Sequence, residues 1–98
     1  MKNITGTLGL ARKARALYIG EMRVYEAITD IKLLILASDV GVATKRKVEQ
    51  KAFHYQIPIL QSLTRDELSQ AIGTNNTVVI GLKDAGFIHL ILKEDQHG

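Results

Sequence analysis

Two short runs of apolar and β-branched residues constrain the fold of this chain more than any other feature of its sequence. Leu33–Ala37 is apolar throughout, and Thr77–Ile80 is β-branched throughout. Runs of this length are too short for buried helices, and their lack of polar–apolar alternation is typical of strands that are covered on both faces. The sequence therefore predicts a sheet enclosed between layers of helices.

Apolar spacing places the remaining elements. We predict helices over Thr5–Ala16, Glu21–Ile31 and Val42–Gln56, a strand over Ile57–Leu60, a fourth helix that ends at Ile72, and a last helix after Asp84. The side chains expected to face the core are Ala43, Val48, Ala52 and Tyr55 in the third helix and Phe87, Ile88, Ile91 and Leu92 in the last.

Residues with capping preferences mark several helix ends. Thr5 or Thr7 is expected to cap the first helix. Thr64 with Glu67 forms a capping-box sequence at the start of the fourth helix, and Gly73 ends that helix.

The length and the residue types exclude several classes of protein. Ninety-eight residues fit one domain, which we place over residues 1–98. The chain has no cysteine, which excludes disulfides, thiol catalysis, thiolate zinc sites and iron–sulfur clusters and favours a cytoplasmic location. No apolar stretch approaches the roughly 20 residues that span a bilayer, and residues 1–16 lack the pattern of a signal peptide.

The charges are distributed unevenly along the chain. Residues 1–55 carry ten Lys and Arg against five Asp and Glu, whereas residues 56–98 carry three against five. An excess of positive charge in one half favours a face that binds a polyanion. Two clusters supply much of this charge: Arg12, Lys13 and Arg15 in the first helix, and Lys45, Arg46, Lys47 and Lys51 in the third. The sequence leaves open whether the second cluster contacts a ligand or is a solvated helix face.

No catalytic or metal-binding motif is present in the sequence. Gly41–Lys45 follows a predicted strand, yet it lacks the second glycine and the Gly-Lys-Ser/Thr ending of a phosphate-binding loop. The three histidines form no metal-ligand pair at helical spacing, and the serines have no histidine at a recognisable motif distance. We therefore expect no cofactor, no metal and no enzymatic activity.

Four groups of residues occur in a distinctive order around the first apolar run: Gly20–Glu21, Arg46–Val48, His54–Pro58 and Asp84–Phe87. Between Leu8 and Leu92, their order and spacing resemble the ribosomal protein L7Ae and L30e family of small proteins that bind kink-turn RNA. The likeness is greatest to the bacterial YlxQ-type members of that family.

The resemblance implies a fold, a site and a partner. The fold is α/β, a three-layer α/β/α sandwich with a mixed four-stranded sheet in which Leu17–Ile19 is the first strand. The RNA site is formed by the N-terminus of the second helix and by the loops after Leu33–Ala37 and Gly73. The implied contacts are Gly20, Glu21, Met22, Arg23, Thr74, Asn75 and Asn76, while Arg12, Lys13, Arg15 and Lys32 neutralise phosphates. The partner is ribosomal RNA, another structured RNA or the ribosome itself, and neither DNA nor a membrane is expected.

Three residues depart from the family pattern that reads kink-turns, Gly-x-Asn-Glu followed three residues later by Lys. Met22 stands at the Asn position, Arg23 at the Glu position and Glu26 at the Lys position. Met22 cannot bond to a guanine edge, Arg23 can only donate to one, and Glu26 repels phosphate. Two functions therefore stay open: an RNA-binding protein, and a protein-interaction module on the same fold that has lost kink-turn readout.

Overall fold

The computed structural model describes Ile4–His97, with the backbone alone for His97. In chain order the elements are α1 (Ile4–Lys13), β1 (Leu17–Ile19), α2 (Glu21–Glu26), a 3₁₀ turn (Ile28–Asp30), β2 (Leu33–Leu36), α3 (Val42–Tyr55), β3 (Ile59–Leu60), α4 (Arg65–Ile72), β4 (Val79–Leu82) and α5 (Ala85–His97). Leu17–Ile19 is a strand, as the resemblance implies.

The four strands form one mixed sheet in the order β1-β4-β2-β3. β4 runs antiparallel to both β1 and β2, and β3 runs parallel to β2. The C-terminal ends of β1, β2 and β3 therefore meet at one edge of the sheet, together with the start of β4. We call this the upper edge and the opposite one, where β1 and β2 begin and β4 ends, the lower edge.

Side chains of β2 alternate between two hydrophobic cores. Leu33 and Ile35 pack on one face of the sheet with residues of α1, α4 and α5. Leu34 and Leu36 pack on the other face with residues of α2, the 3₁₀ turn and α3. Every residue of β2 is buried, because helices cover both of its faces. The α/β/α sandwich with a mixed four-stranded sheet is thereby confirmed.

The strand predicted over Thr77–Ile80 lies two residues further along the chain. β4 covers Val79–Leu82, whereas Thr77 lies before it and is tied to α4 through a hydrogen bond from its backbone N to Oγ of Ser69 at 3.0 Å. Gly81 lies within the strand, where its lack of a side chain leaves room for Ile31. The sequence pattern did not predict a glycine inside this strand, because glycine is normally depleted in strands.

The predicted second helix is divided in two. α2 ends at Glu26, and a 3₁₀ turn follows over Ile28–Asp30. Ile28 and Ile31 are both buried in the second core. The three-residue period of a 3₁₀ turn places both side chains on the same face.

Several core and cap assignments were wrong. Ala43, Tyr55 and Leu92 are exposed, because α3 and α5 each cover the sheet with a narrow stripe. Thr5 and Thr7 lie inside α1, which begins at Ile4.

The caps of the later helices are confirmed. Thr64 and Glu67 form both bonds of a capping box, and Gly73 adopts the left-handed conformation with φ 70°. Oδ1 of Asp84 accepts a hydrogen bond from the backbone N of Phe87 at 3.0 Å, which caps α5.

We expect Gly81→Ala to lower the free energy of unfolding by about 1–3 kcal/mol, as overpacked cores do. A Cβ at Gly81 would lie 2.5 Å from Cδ1 and 3.0 Å from Cγ1 of Ile31. Ile31 is 2% exposed, so it has little space into which to move. Urea denaturation measures the loss. Gly41→Ala is the control, since its added Cβ meets nothing within 4 Å, and equal stability of the two variants would contradict the close packing of Ile31 on Gly81.

Candidate nucleic-acid interface

Two helices begin beside each other at the upper edge, and each begins at a glycine. Gly20 precedes α2 with φ 92° and ψ 158°, a conformation that side chains rarely adopt. Gly41 precedes α3. Within Ile4–His97 no side chain caps either helix, and a Cβ at either glycine would meet open space. The first backbone N–H groups of both helices are therefore accessible to an acceptor from outside the protein.

Backbone hydrogen bonds hold the loops of this edge together. The backbone N of Gly20 donates to the carbonyl of Val79 at 3.0 Å, and that of Ala37 donates to the carbonyl of Val78 at 2.7 Å. The loop from Thr74 to Asn76 leads directly into this segment. Its Asn75 and Asn76 are exposed. The three segments of the implied RNA site therefore converge on one edge.

The carboxylate of Glu21 joins α2 to α3. Its Oε2 accepts a hydrogen bond from the Tyr25 hydroxyl at 3.0 Å, and its Oε1 accepts one from Oγ1 of Thr44 at 3.3 Å. Burial, the hydrogen bond to Glu21 and the negative charge of Glu21 raise the pKa of Tyr25 to about 12. Nζ of Lys51 lies 5.0 Å from the centre of the Tyr25 ring, within range of a cation–π contact. Glu21 thus adds a polar contact between the two open helix ends, whose helices also pack in the second core.

The first turn of α2 presents Met22 and Arg23 to solvent. Met22 is 74% exposed, which is unusual for a long apolar side chain at a helix start. A thioether is polarisable and packs well against aromatic rings. Met22 can therefore pack against an unstacked base, although it cannot read the base by hydrogen bonds.

The basic residues of the implied site are divided between different places. Arg15 and Arg23 line a cavity of about 330 Å³ together with Tyr18, Lys83 and Asp84. This cavity lies at the lower edge, where β1 begins and β4 ends. Its three cations against one carboxylate give it a positive potential suited to a phosphate group.

The other predicted phosphate contacts differ in their surroundings. Lys32 lies at the lower edge, where its backbone N donates to the carbonyl of Leu82 at 2.8 Å. Nη1 of Arg12 donates to the carbonyl of Ile72 at the end of α4, so part of this guanidinium braces two helices. Lys13 is exposed at the end of α1.

Two features of the candidate interface were not found from the sequence. Lys83 is an isolated lysine in the sequence, and only the pairing of Leu17 with Leu82 brings it beside Arg15. The resemblance implied an RNA contact from the loop after Leu33–Ala37, but the sequence did not single out the open N-terminus of α3 at Gly41. The absence of a capping side chain before Val42 was the available signal for it.

The described part of the chain contains no cluster of histidine, cysteine, aspartate or glutamate that could hold a metal ion. It also has no helix long and apolar enough to cross a membrane. What the two edges offer is backbone donors, cations and one exposed thioether, a set that can bind phosphates and bases.

A family model and a curated relative both match most of this chain. Residues 2–91 match the model of the ribosomal protein L7Ae/L30e/S12e/Gadd45 family. A curated relative from Enterococcus faecium, named RNA-binding protein YlxQ, is 33% identical over 82 residues, which cover 82% of this chain and 79% of the relative.

Two solved structures have the same fold. A protein of unknown function from Bacillus halodurans superposes with a TM-score of 0.87 at 42% identity, covering 97% of this chain and 99% of the other. The 15.5kD RNA binding protein of Giardia lamblia superposes with a TM-score of 0.78 over 96% of this chain and 82% of that one. The identity to the second is 11%, so this likeness concerns the fold alone.

Tyr25 makes stability depend on pH in the alkaline range. The pKa of its phenol rises from 10.0 to about 12 on folding, so the folded state holds the proton more tightly. This contribution to stability is complete below pH 10 and is lost as the pH rises through about 12. We expect the free energy of unfolding to fall more steeply over this range in the wild type than in Tyr25→Phe. Urea denaturation at a series of pH values measures both curves, and parallel curves would show that Tyr25 does not carry the effect.

Proposed function

Since the chain belongs to the ribosomal protein L7Ae/L30e/S12e/Gadd45 family, we propose that it binds a structured RNA of the kink-turn kind. In this proposal it acts without catalysis, in the cytoplasm, on ribosomal RNA or another RNA of translation. The name of the curated relative, RNA-binding protein YlxQ, supports an RNA partner.

The observation that carries the proposal is the pair of open helix N-termini at the upper edge. A helix N-terminus binds phosphate through its free N–H groups and the positive end of its dipole. Two such ends, at Gly20 and Gly41, are joined by the Glu21–Thr44 hydrogen bond. A sharply bent RNA brings two stretches of its backbone close together, so both ends can bind phosphate at once. A straight duplex presents its two backbones only at the fixed spacing of its grooves, so the proposal predicts weaker binding to it.

The departures from the family pattern determine what kind of recognition is proposed. Met22 packs against an unstacked base, and Arg23 contacts phosphate together with Arg15 and Lys83 in the lower cavity. None of these side chains accepts a hydrogen bond from a guanine edge as a carboxylate does. The proposed recognition therefore depends on the bent shape and the phosphates of the RNA, with little direct reading of bases.

We expect Arg23→Ala to weaken binding of a kink-turn RNA about ten-fold or more, because a charge-assisted contact contributes about 1.5–3 kcal/mol. Lys51→Ala removes the same charge from α3, where the lysine lies over the Tyr25 ring. It is expected to cost about 0.5 kcal/mol or less, the size of a screened long-range attraction. Binding titrations against a kink-turn RNA and a plain duplex, each at two salt concentrations, give the comparison. Equal losses without preference between the RNAs would leave a generic basic surface and favour the protein-interaction alternative.

A larger side chain at Gly41 tests the open helix end directly. Gly41 has φ −64°, which every residue tolerates, and a Cβ there meets nothing within 4 Å. We expect Gly41→Leu to keep most of the stability and to weaken kink-turn binding several-fold, since the leucine shields the amides of α3. Gly41→Ala, with a small side chain, is the control. If both variants bind like the wild type in the same titration, the α3 terminus is not part of the interface.

A further inference from the structure

The outer face of α3 carries an apolar side chain that the described part of the protein leaves uncovered. Phe53 is 87% exposed, more than either Met22 or Val42. Arg46, Gln50 and Phe53 are at positions i, i+4 and i+7, so their side chains lie along one stripe of the helix. Exposure of a whole phenyl ring to water is unfavourable, so a ligand that covers it gains binding free energy.

The surface beside Phe53 is concave. An open groove of about 830 Å³ runs between the last turns of α3 and the segment that enters β3. Its walls include Phe53, His54, Gln56 and Pro58, and Glu49 is the charged residue among those that line it. β3 is the outermost strand on this side of the sheet, so among residues 4–97 no further strand covers the groove. The groove thus combines an aromatic face with side chains that form hydrogen bonds.

Charge identifies the occupant. Arg46 lies on the same stripe of α3 as Phe53, and Lys45 and Lys47 are exposed on either side of that stripe, whereas Glu49 lines the groove itself, so cations outnumber the carboxylate by three to one. Cations that follow a backbone, beside an aromatic ring on which a base can stack, form the usual binding surface for single-stranded nucleic acid. A duplex does not suit it, because its bases are already stacked. An acidic protein segment would form ion pairs with the lysines, but it would not use the exposed ring of Phe53 together with the hydrogen-bonding groups of His54 and Gln56, as a base does.

This face continues from the upper edge. α3 begins directly after Gly41, and Lys45 donates its backbone N–H to the Gly41 carbonyl at 3.0 Å. Arg46 and Phe53 are separated by about 10 Å along the helix axis, given 1.5 Å per residue. A strand that leaves an RNA bound at the upper edge therefore passes the cations first and reaches the ring afterwards.

We propose that the outer face of α3 is a second RNA subsite, which takes an unpaired segment that extends from the structured RNA. Phosphates of this segment contact Lys45, Arg46 and Lys47, and one base stacks on Phe53. His54 and Gln56 contact the edge of that base. This subsite rests on the proposed function, because the upper edge supplies the RNA from which the segment extends.

The test compares the affinity for one kink-turn RNA in three forms: blunt, with a short unpaired 5′ extension, and with a short unpaired 3′ extension. We expect one of the extensions to tighten binding to the wild type about five-fold or more, as stacking of one base does. Phe53→Ala is expected to lose this gain and to bind the blunt RNA as the wild type does. Phe53→Tyr keeps an aromatic face and is expected to keep the gain.

Leu10→Ala is the matched control, since Leu10 is an exposed apolar residue on the helix layer across the sheet. It is expected to leave the gain unchanged. In the double variant Arg46→Gln and Lys47→Gln, the salt dependence of the affinity should fall more for the extended RNA than for the blunt RNA. Both substitutions lie on the solvated face of α3, so they leave the fold intact.

The outcomes separate this subsite from the proposed function. No gain from either extension, or a gain that Phe53→Ala retains, overturns the subsite while a preference for blunt kink-turn RNA over duplex still supports the proposed function. Self-association of the wild type that Phe53→Ala abolishes also overturns the subsite, since a second copy then covers the ring. Failure to bind any of the RNAs overturns both.

Discussion

The burial of β2 on both faces is the constraint on which the rest of the structure depends. Its four side chains alternate between two cores, and each core needs its own layer of helices. β2 also pairs with β4 on one side and β3 on the other, so its backbone groups are satisfied within the sheet. Because β1, β2 and β3 run in the same direction, the helices that follow β1 and β2 both begin at the upper edge. The position of the candidate interface is therefore a consequence of strand direction, and its glycines determine how open that edge is.

The sequence predicts the parts of the fold that depend on local pattern. The double-sided burial of Leu33–Leu36, the capping box of Thr64 and Glu67 and the left-handed Gly73 are each determined by neighbouring residues. The parts it did not predict depend on distant partners. Gly81 lies in β4 because it pairs with Tyr18 and Leu34, and its lack of a side chain leaves space for Ile31. Ile28 of the 3₁₀ turn and Ile31, which follows the turn, pack into a core whose other members include residues of β2, α3 and β4. The residues adjacent to Gly81 and to the turn do not reveal these partners.

In the candidate site, too, some features could be predicted from the sequence, and others depend on contacts between distant residues. The resemblance placed Gly20, the loop after β2 and the loop before β4 together, and the backbone hydrogen bonds at Val78 and Val79 bring them together. It separated Arg23, as a contact of the second helix, from Arg15, as a phosphate-neutralising residue, whereas the structure brings both to one cavity at the lower edge together with Lys83, which the pairing of β1 with β4 places there. Charge counts along a chain do not give the direction in which each side chain points. The brace between Arg12 and Ile72 likewise requires the contact of α1 with α4, which no local pattern reveals.

The division of charges bears on how this chain can recognise RNA. The upper edge offers oriented backbone donors, while Arg15, Arg23 and Lys83 lie at the lower edge and the lysines of α3 on a third face. Backbone donors at fixed positions discriminate shape, because the acceptors must arrive with a set spacing. Flexible cations add affinity that falls with salt and is nearly independent of sequence. In the proposed recognition, where Met22 and Arg23 stand in place of groups that read guanine, selectivity therefore comes from the geometry of the helix ends. The Glu21 bridge and the packing of Val24 with residues of α3 in the second core together hold α2 against α3 and maintain this geometry.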